Sequence, residues 1–354
     1  MVTNFCVGDQ IYKFRLIRKL GAGSFGEVWL VHDDTINNEV ALKIIKPNGP
    51  LTINQFKEAQ IGNRFNHGNL IKVHYADVVT DPTRGTFIVI AMDYLKWGSI
   101  LADLNSRGFM PLANAIHVMR NVLFGLDHLH RLNFYHNDIK PGNILIGGAG
   151  QAVLSDYGIA RRTDDVSGME CYKLHMAPEV HAGGLASVST DIFQCGMTAF
   201  RLFCGDGCLN EKWLALGEEN YANAIANGRL ITGRSFPDII PTKVRRIILK
   251  AIAVNPADRY QSAIQMLKDF ERLSYPGYWT SDENNLLIGK RNNSDNVYRY
   301  DEITIGGGLF NFEAKVQYPS GRINSISRFS KIKIDGATLE KARRAYYKWV
   351  VEGK

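Results

Sequence analysis

The chain has 354 residues, 45% hydrophobic and 22% charged, with a formal net charge of +7 and an isoelectric point near 9.0. Such a composition suits a folded, soluble chain with a sizeable core, and the length fits one medium domain plus something small. The basic residues are scattered rather than blocked, which disfavours nucleic-acid binding, and no apolar run reaches the ~18 residues of a membrane span.

In chain order, the first strong pattern is a hairpin. Phe14, Leu16, Ile17 and Leu20 precede the stretch Gly21-Ala22-Gly23-Ser24-Phe25-Gly26, and Val28-Trp29-Leu30-Val31 follow it. Glycines suit a turn whose backbone must come close to phosphate. A GxGxxG spacing also marks dinucleotide-binding folds, but a helix follows the loop there. Here the following residues read as a strand. Val40 to Ile45 is a second apolar strand, and it carries Lys43. Thr52 to Phe65 reads as a helix with a single acidic residue, Glu58; Gly62 loosens it, because an internal glycine costs about 1 kcal/mol relative to alanine. Phe87 to Met92 is a buried strand, and Asp93-Tyr94-Leu95 leads out of it.

The chemistry concentrates in His136-Asn137-Asp138-Ile139-Lys140-Pro141-Gly142-Asn143 and in Asp156-Tyr157-Gly158. An acid, a lysine, an amide and a second carboxylate stand at a spacing suited to phosphoryl transfer from Mg-ATP, which asks for charge neutralisation and in-line positioning. Asp138 can orient a hydroxyl nucleophile and accept its proton, and Lys140 can hold the moving γ-phosphate. Asn143 and Asp156 can hold Mg²⁺, a hard cation that prefers oxygen ligands.

Over roughly residues 10–274 these segments resemble the eukaryotic-like protein kinase family. The resemblance implies an α+β, bilobal protein kinase fold in a domain of residues 1–274. Its parts are a β-rich N-lobe with an αC helix (about 10–92), a hinge (93–96) and a helical C-lobe (97–274). It also implies that Leu20 and the loop Gly21, Ala22, Gly23, Ser24, Phe25 and Gly26 cover the nucleotide, and that Lys43 grips its α- and β-phosphates with Glu58 as ion-pair partner. Met92 would be the gatekeeper. The Asp93 carbonyl and Leu95 amide would meet the adenine edge, and Val28, Ala41 and Leu145 would sandwich the ring. Met176-Ala177-Pro178-Glu179 matches the APE motif, Asp191 the start of the buried αF helix, and Arg259 the arginine that pairs with the APE glutamate. Small-molecule phosphotransferases with a similar catalytic loop generally lack this segment, so the implied substrate is a polypeptide.

Three departures bear on regulation and specificity. Asn137 replaces the arginine that normally reads a phosphorylated activation loop, so switching by that route should be weak. Tyr157 replaces the phenylalanine of the DFG motif, and Cys171-Tyr172-Lys173-Leu174-His175 stands where Ser/Thr kinases carry Gly-Thr-x-x-Tyr. Thr163, Ser167 and Tyr172 are candidate autophosphorylation sites.

Beyond Leu273 the resemblance stops. Leu286-Leu287-Ile288, Val297-Tyr298-Arg299-Tyr300 and Glu302-Ile303-Thr304-Ile305 are strand-like, Gly306-Gly307-Gly308 breaks the pattern, and Phe310, Phe312, Ala314, Val316 and Tyr318 alternate with period two. Ile323 to Ile334 reads as one more strand, and Leu339, Ala342, Ala345, Tyr346, Trp349 and Val350 recur at helical spacing. Residues 275–354 are therefore expected to form a small antiparallel sheet with one helix, which docks substrate or mediates self-association. Arg343, Arg344 and Lys348 line the outer helix face, read as solvated.

The expected activity is an ATP- and Mg²⁺-dependent protein kinase that acts on protein substrates and on itself. Lys140 within Asp-Ile-Lys-Pro favours serine/threonine acceptors, while the missing threonine near Tyr172 keeps tyrosine or dual specificity open. The rival is a kinase-like scaffold working through its C-terminal module, against which Lys43, Asp138, Asn143 and Asp156 are all present. Met1 to Cys6 lacks the regions of a signal peptide, and five cysteines point to a reducing, cytoplasmic setting.

Overall fold

A computed structural model describes residues 5–23, 26–46, 65–156, 161–162, 172–282, 284 and 286–353. Six strands form the first sheet: β1 (Gln10–Ile11), β2 (Phe14–Gly23), β3 (Gly26–Asp33), β4 (Asn38–Ile45), β5 (Val73–Asp81) and β6 (Gly85–Met92). Their spatial order is β1-β2-β3-β4-β6-β5, antiparallel throughout. Period-two alternation decides which side chains enter the cleft. On β4, Val40, Leu42 and Ile44 join Trp29, Val31, Phe87 and Val89 in a core on one face. Ala41 and Lys43 therefore point to the other, where Ala41 lies opposite Met92 and Lys43 opposite Ile90.

The second lobe is helical: α1 (Ile100–Arg107), α2 (Leu112–Arg131), α3 (Pro178–His181), α4 (Val188–Cys204), α5 (Gly207–Ala226), α6 (Thr242–Ala251) and α7 (Ala263–Glu271). Short strands β7 (Phe134–Tyr135), β8 (Ile144–Ile146), β9 (Ala152–Leu154) and β10 (Arg161–Arg162) pair as β7 with β10 and β8 with β9. Helix α4 is buried along nearly its whole length. It starts with a capping box in which Ser187 and Thr190 satisfy each other's backbone amides.

The C-terminal sheet runs β11 (Gly277–Ser281), β12 (Leu287–Arg291), β13 (Ser294–Gly306), β14 (Leu309–Gln317) and β15 (Ile323–Ser325), with β16 (Lys331–Asp335) also on β14. Helix α8 (Gly336–Glu352), capped by Asp335 on the Thr338 amide at 2.7 Å, closes one face. Trp279, Tyr300, Phe312, Phe329, Tyr346 and Trp349 stack between them, edge-on or tilted. This core continues into that of the helical lobe.

Two expectations for this region need correction. The strand predicted over Ile323 to Ile334 is two strands, because the Ile326 carbonyl turns back to accept the amides of Phe329 and Ser330. The turn buries Phe329 against the helix. Arg343 and Arg344 are not simply solvated: Arg343 reaches Glu302 at 3.2 Å, and Arg344 reaches Asp238 of the helical lobe at 2.8 Å. Among the described residues, no helix is long and apolar enough to cross a membrane.

Candidate active site

Between the two lobes lies a cavity of about 380 Å³. Leu20, Gly21, Val28, Ala41, Lys43, Met92, Asp93, Leu95, Asn143, Leu145 and Asp156 all line it. Ala22 and Gly26 are described but are not among its walls; Gly23 ends β2, while Ser24, Phe25 and Glu58 lie outside the described residues, as do Gly62, Tyr157, Thr163, Ser167 and Cys171. Gly26 has its own reason to be glycine. Its φ is +132°, and an added Cβ would stand 2.2 Å from the Ile44 carbonyl oxygen.

Residues that sequence reasoning missed also line the cavity, among them Arg18, Tyr94, Trp97, Ser99 and Ser155. Arg18 donates to the Tyr94 hydroxyl at 3.0 Å, tying β2 to the hinge. Trp97, 62% exposed, sits at the rim with the Lys96 ammonium 4.7 Å from its ring. For Trp97 and Ser99 the signal available was position: they directly follow the hinge, and Gly98 between them turns the chain at φ +66°.

At the inner end the polar residues converge. Lys43, almost wholly buried, donates to Asp156 Oδ1 at 2.8 Å. Asp156 adopts φ +67° at the exit of β9. The Asp138 carboxylate is 2% exposed, and its Oδ2 accepts from Lys140 Nζ at 2.6 Å and Asn143 Nδ2 at 2.8 Å. Its other oxygen, Oδ1, is buried with no hydrogen-bond partner. An orphaned carboxylate oxygen costs free energy, so its retention marks a place where something else donates.

The loop carrying these groups is held from beneath by α4. Asp191, fully buried, accepts the amides of His136 at 2.9 Å and Asn137 at 2.8 Å, and meets His130 Nε2 at 2.9 Å. Gln194 accepts the Ile139 amide at 2.9 Å and donates to the Asn137 carbonyl at 2.7 Å. Asn137 has φ +66°, a conformation asparagine tolerates better than most residues. The Asn143 carbonyl accepts both the Ser155 amide at 2.8 Å and its hydroxyl at 3.1 Å, fixing the loop to the residue before Asp156.

Two histidines sit inside this framework. His136 Nδ1 accepts the Asp138 amide at 3.3 Å, so Nε2–H donates to the Ser155 carbonyl at 3.1 Å. His175 bridges the Ile139 carbonyl (Nδ1, 2.8 Å) and the Arg201 guanidinium (Nε2, 3.1 Å). A carbonyl only accepts and a guanidinium only donates, so the ring is the neutral Nδ1–H tautomer. Burial pushes both imidazoles below their usual pKa, and the Arg201 charge pushes His175 down further.

Farther along, Arg259, whose side chain has no solvent exposure, grips Glu179 with both terminal nitrogens at 2.7 and 2.8 Å. It also donates to the carbonyls of Ser189, Ala253 and Val254. The segment ending at Glu179 is thereby locked to the helical lobe.

A family model described as the protein kinase domain matches residues 14–270. The chain is similar to the serine/threonine-protein kinase PrkC of Bacillus subtilis (28% identity over 280 residues, 75% of this chain and 41% of that protein). It is also similar to PknA of Corynebacterium glutamicum (29% over 266 residues, 72% and 54%) and PknA of Mycobacterium tuberculosis (28% over 265 residues, 71% and 58%). The chain thus spans about half the length of these relatives.

Proposed function

The chain belongs to the protein kinase family, and on that premise we propose that it transfers the γ-phosphate of Mg-ATP to serine and threonine hydroxyls of protein substrates, its own included. The observation that carries this reading is the buried, unpartnered Oδ1 of Asp138, whose other oxygen accepts from the Lys140 ammonium and from the amide of Asn143, a wall of the interlobe cavity. The relatives are named serine/threonine-protein kinases, which favours those acceptors over tyrosine.

In this reading adenine lies between Val28 and Ala41 on one side and Leu145 on the other, behind Met92. The Asp93 amide is engaged by the Lys72 carbonyl at 3.0 Å, which leaves the Asp93 carbonyl and the Leu95 amide for the adenine edge. Lys43, anchored by Asp156, holds the α- and β-phosphates. The donor set fits Mg²⁺: the Asn143 amide nitrogen is committed to Asp138, which presents its oxygen as the ligand atom, and the Asp156 carboxylate is one-third exposed on the cavity wall. Bound there, the cation would neutralise phosphate charge. Asp138 Oδ1 orients the acceptor hydroxyl and takes its proton, while Lys140 stays on the transferred group as charge moves to the bridging oxygen. Residues 1–274 form the kinase domain and 275–354 an accessory module in this proposal; the family match ends at 270 and β11 begins at Gly277.

The test is intact-mass analysis after incubation with Mg-ATP and casein, beside Asp138→Ala. Added phosphate on either protein, absent with the variant and mapped to serine or threonine, is expected. Transfer that survives Asp138→Ala, or that maps only to tyrosine, would overturn the assignment.

A further inference from the structure

We propose that Tyr172 is a positioning residue for phosphoryl transfer: the face of its ring holds the Lys140 ammonium against Asp138, so that the phosphate meets a cation already in place. This rests on the kinase reading above. Lys140 Nζ lies 2.6 Å from Asp138 Oδ2 and 4.9 Å from the centroid of the Tyr172 ring. A lysine ammonium is a compact charge on a flexible stem with many rotamers. The Lys140 side chain is 27% exposed, so a single contact with Asp138 leaves it an arc through solvent. A ring within about 6 Å attracts the cation through its quadrupole and occupies part of that arc.

The ring is fixed in turn. His175 meets it edge-on at 5.2 Å, the Arg201 guanidinium stands 5.7 Å from its centroid, and the Tyr172 carbonyl accepts the His175 amide at 2.8 Å. His175 is itself bonded to the Ile139 carbonyl and to Arg201, and Arg201 is paired with Asp206. The chain Asp206, Arg201, His175, Tyr172, Lys140 therefore runs from the end of α4 to the Asp138 carboxylate. These contacts engage the ring and the backbone of Tyr172.

The experiment measures transfer from Mg-ATP to casein for wild type, Tyr172→Phe, Tyr172→Leu, Lys140→Ala and the Tyr172→Leu/Lys140→Ala double variant. Tyr172→Leu should lower kcat by roughly threefold to thirtyfold, the range that a cation–π contact supplies. The KM for ATP and the melting temperature should hold, and the conservative Tyr172→Phe should restore the rate. In the Lys140→Ala background Tyr172→Leu should have no further effect, because the ring acts through the ammonium. Independently of activity, the ¹³C-dimethyl signal of Lys140 in methylated protein should show a ring-current shift with Tyr172 or Phe and lose it with Leu. A wild-type rate in Tyr172→Leu, equal fractional losses in both backgrounds, or an unshifted Lys140 signal each overturns the proposal. A wild type that transfers nothing to casein or to itself overturns the kinase reading instead, and the ring-current shift still decides whether ring and ammonium touch.

Discussion

Asp191→Ala should cripple the candidate active site without touching any residue that lines the interlobe cavity. The carboxylate accepts the amides of His136 and Asn137, both inaccessible to solvent, and also meets His130. A buried donor left without an acceptor costs about 1–3 kcal/mol. Two stranded amides therefore imply about 2–6 kcal/mol, a large part of the 5–15 kcal/mol that typically separates folded from unfolded. At about 2–4 °C per kcal/mol for a domain of 150–250 residues, the melting temperature should fall by at least ~4 °C. The loss also acts locally, because Asn137 is held at φ +66° by these same bonds and Asp138 is its neighbour. Asp191→Asn keeps one acceptor oxygen but turns an NH₂ toward an amide, so it should fall between wild type and alanine. Scanning calorimetry beside casein phosphorylation makes the comparison. A melting temperature within 2 °C of wild type, together with full turnover in Asp191→Ala, would refute the claim that this carboxylate supports the loop.

Gly26→Ala should weaken ATP binding at least tenfold by calorimetry, because its Cβ meets the Ile44 carbonyl at 2.2 Å in a backbone conformation that side chains resist. Arg259→Ala should cost about 3–5 kcal/mol in denaturant unfolding. Glu179→Ala should cost less, because three carbonyls still accept from Arg259 while the reverse change strands all of them. Acidification should destabilise the fold: His136 and His175 have pKa values below the ordinary 6.5, so the unfolded chain binds the extra protons as pH falls through and below 6.5. Stability is thus present above pH 6.5 and lost below it. His175→Gln should flatten that limb by up to about 1.4 kcal/mol per pH unit, read from urea midpoints between pH 7 and 5.

What was legible in the sequence was what lies close together in it. Asp138, Lys140 and Asn143 fall within six residues, so their spacing alone suggested a shared site, and the structure joins all three at one carboxylate. The alternation on β4 made Lys43 a strand residue, but its face was settled only by pairing with β3 and β6, which sends its even-numbered neighbours into the opposite core. The role of Asp191 was hidden for a different reason. Its partners are backbone amides 54 and 55 residues away, and a backbone amide leaves no mark on residue type. Arg344 and Asp238, 106 positions apart, belong to elements whose contact no local pattern announces.

The Ile323 to Ile334 segment failed for a reason within its own composition. Its apolar residues Ile323, Ile326 and Phe329 recur every third position, which fits neither a flat strand nor a long helix. The chain resolves that conflict by turning at Ile326, so that Phe329 packs on Tyr346 and Trp349 while Ile332 is left 76% exposed. The same reasoning applies to Tyr172. Measured against a family pattern it reads as a missing threonine, and only the ring's place beside Lys140 shows an aromatic face where that pattern has a hydroxyl. A departure from a motif states that a contact has changed, and the geometry around it states which interaction stands there instead.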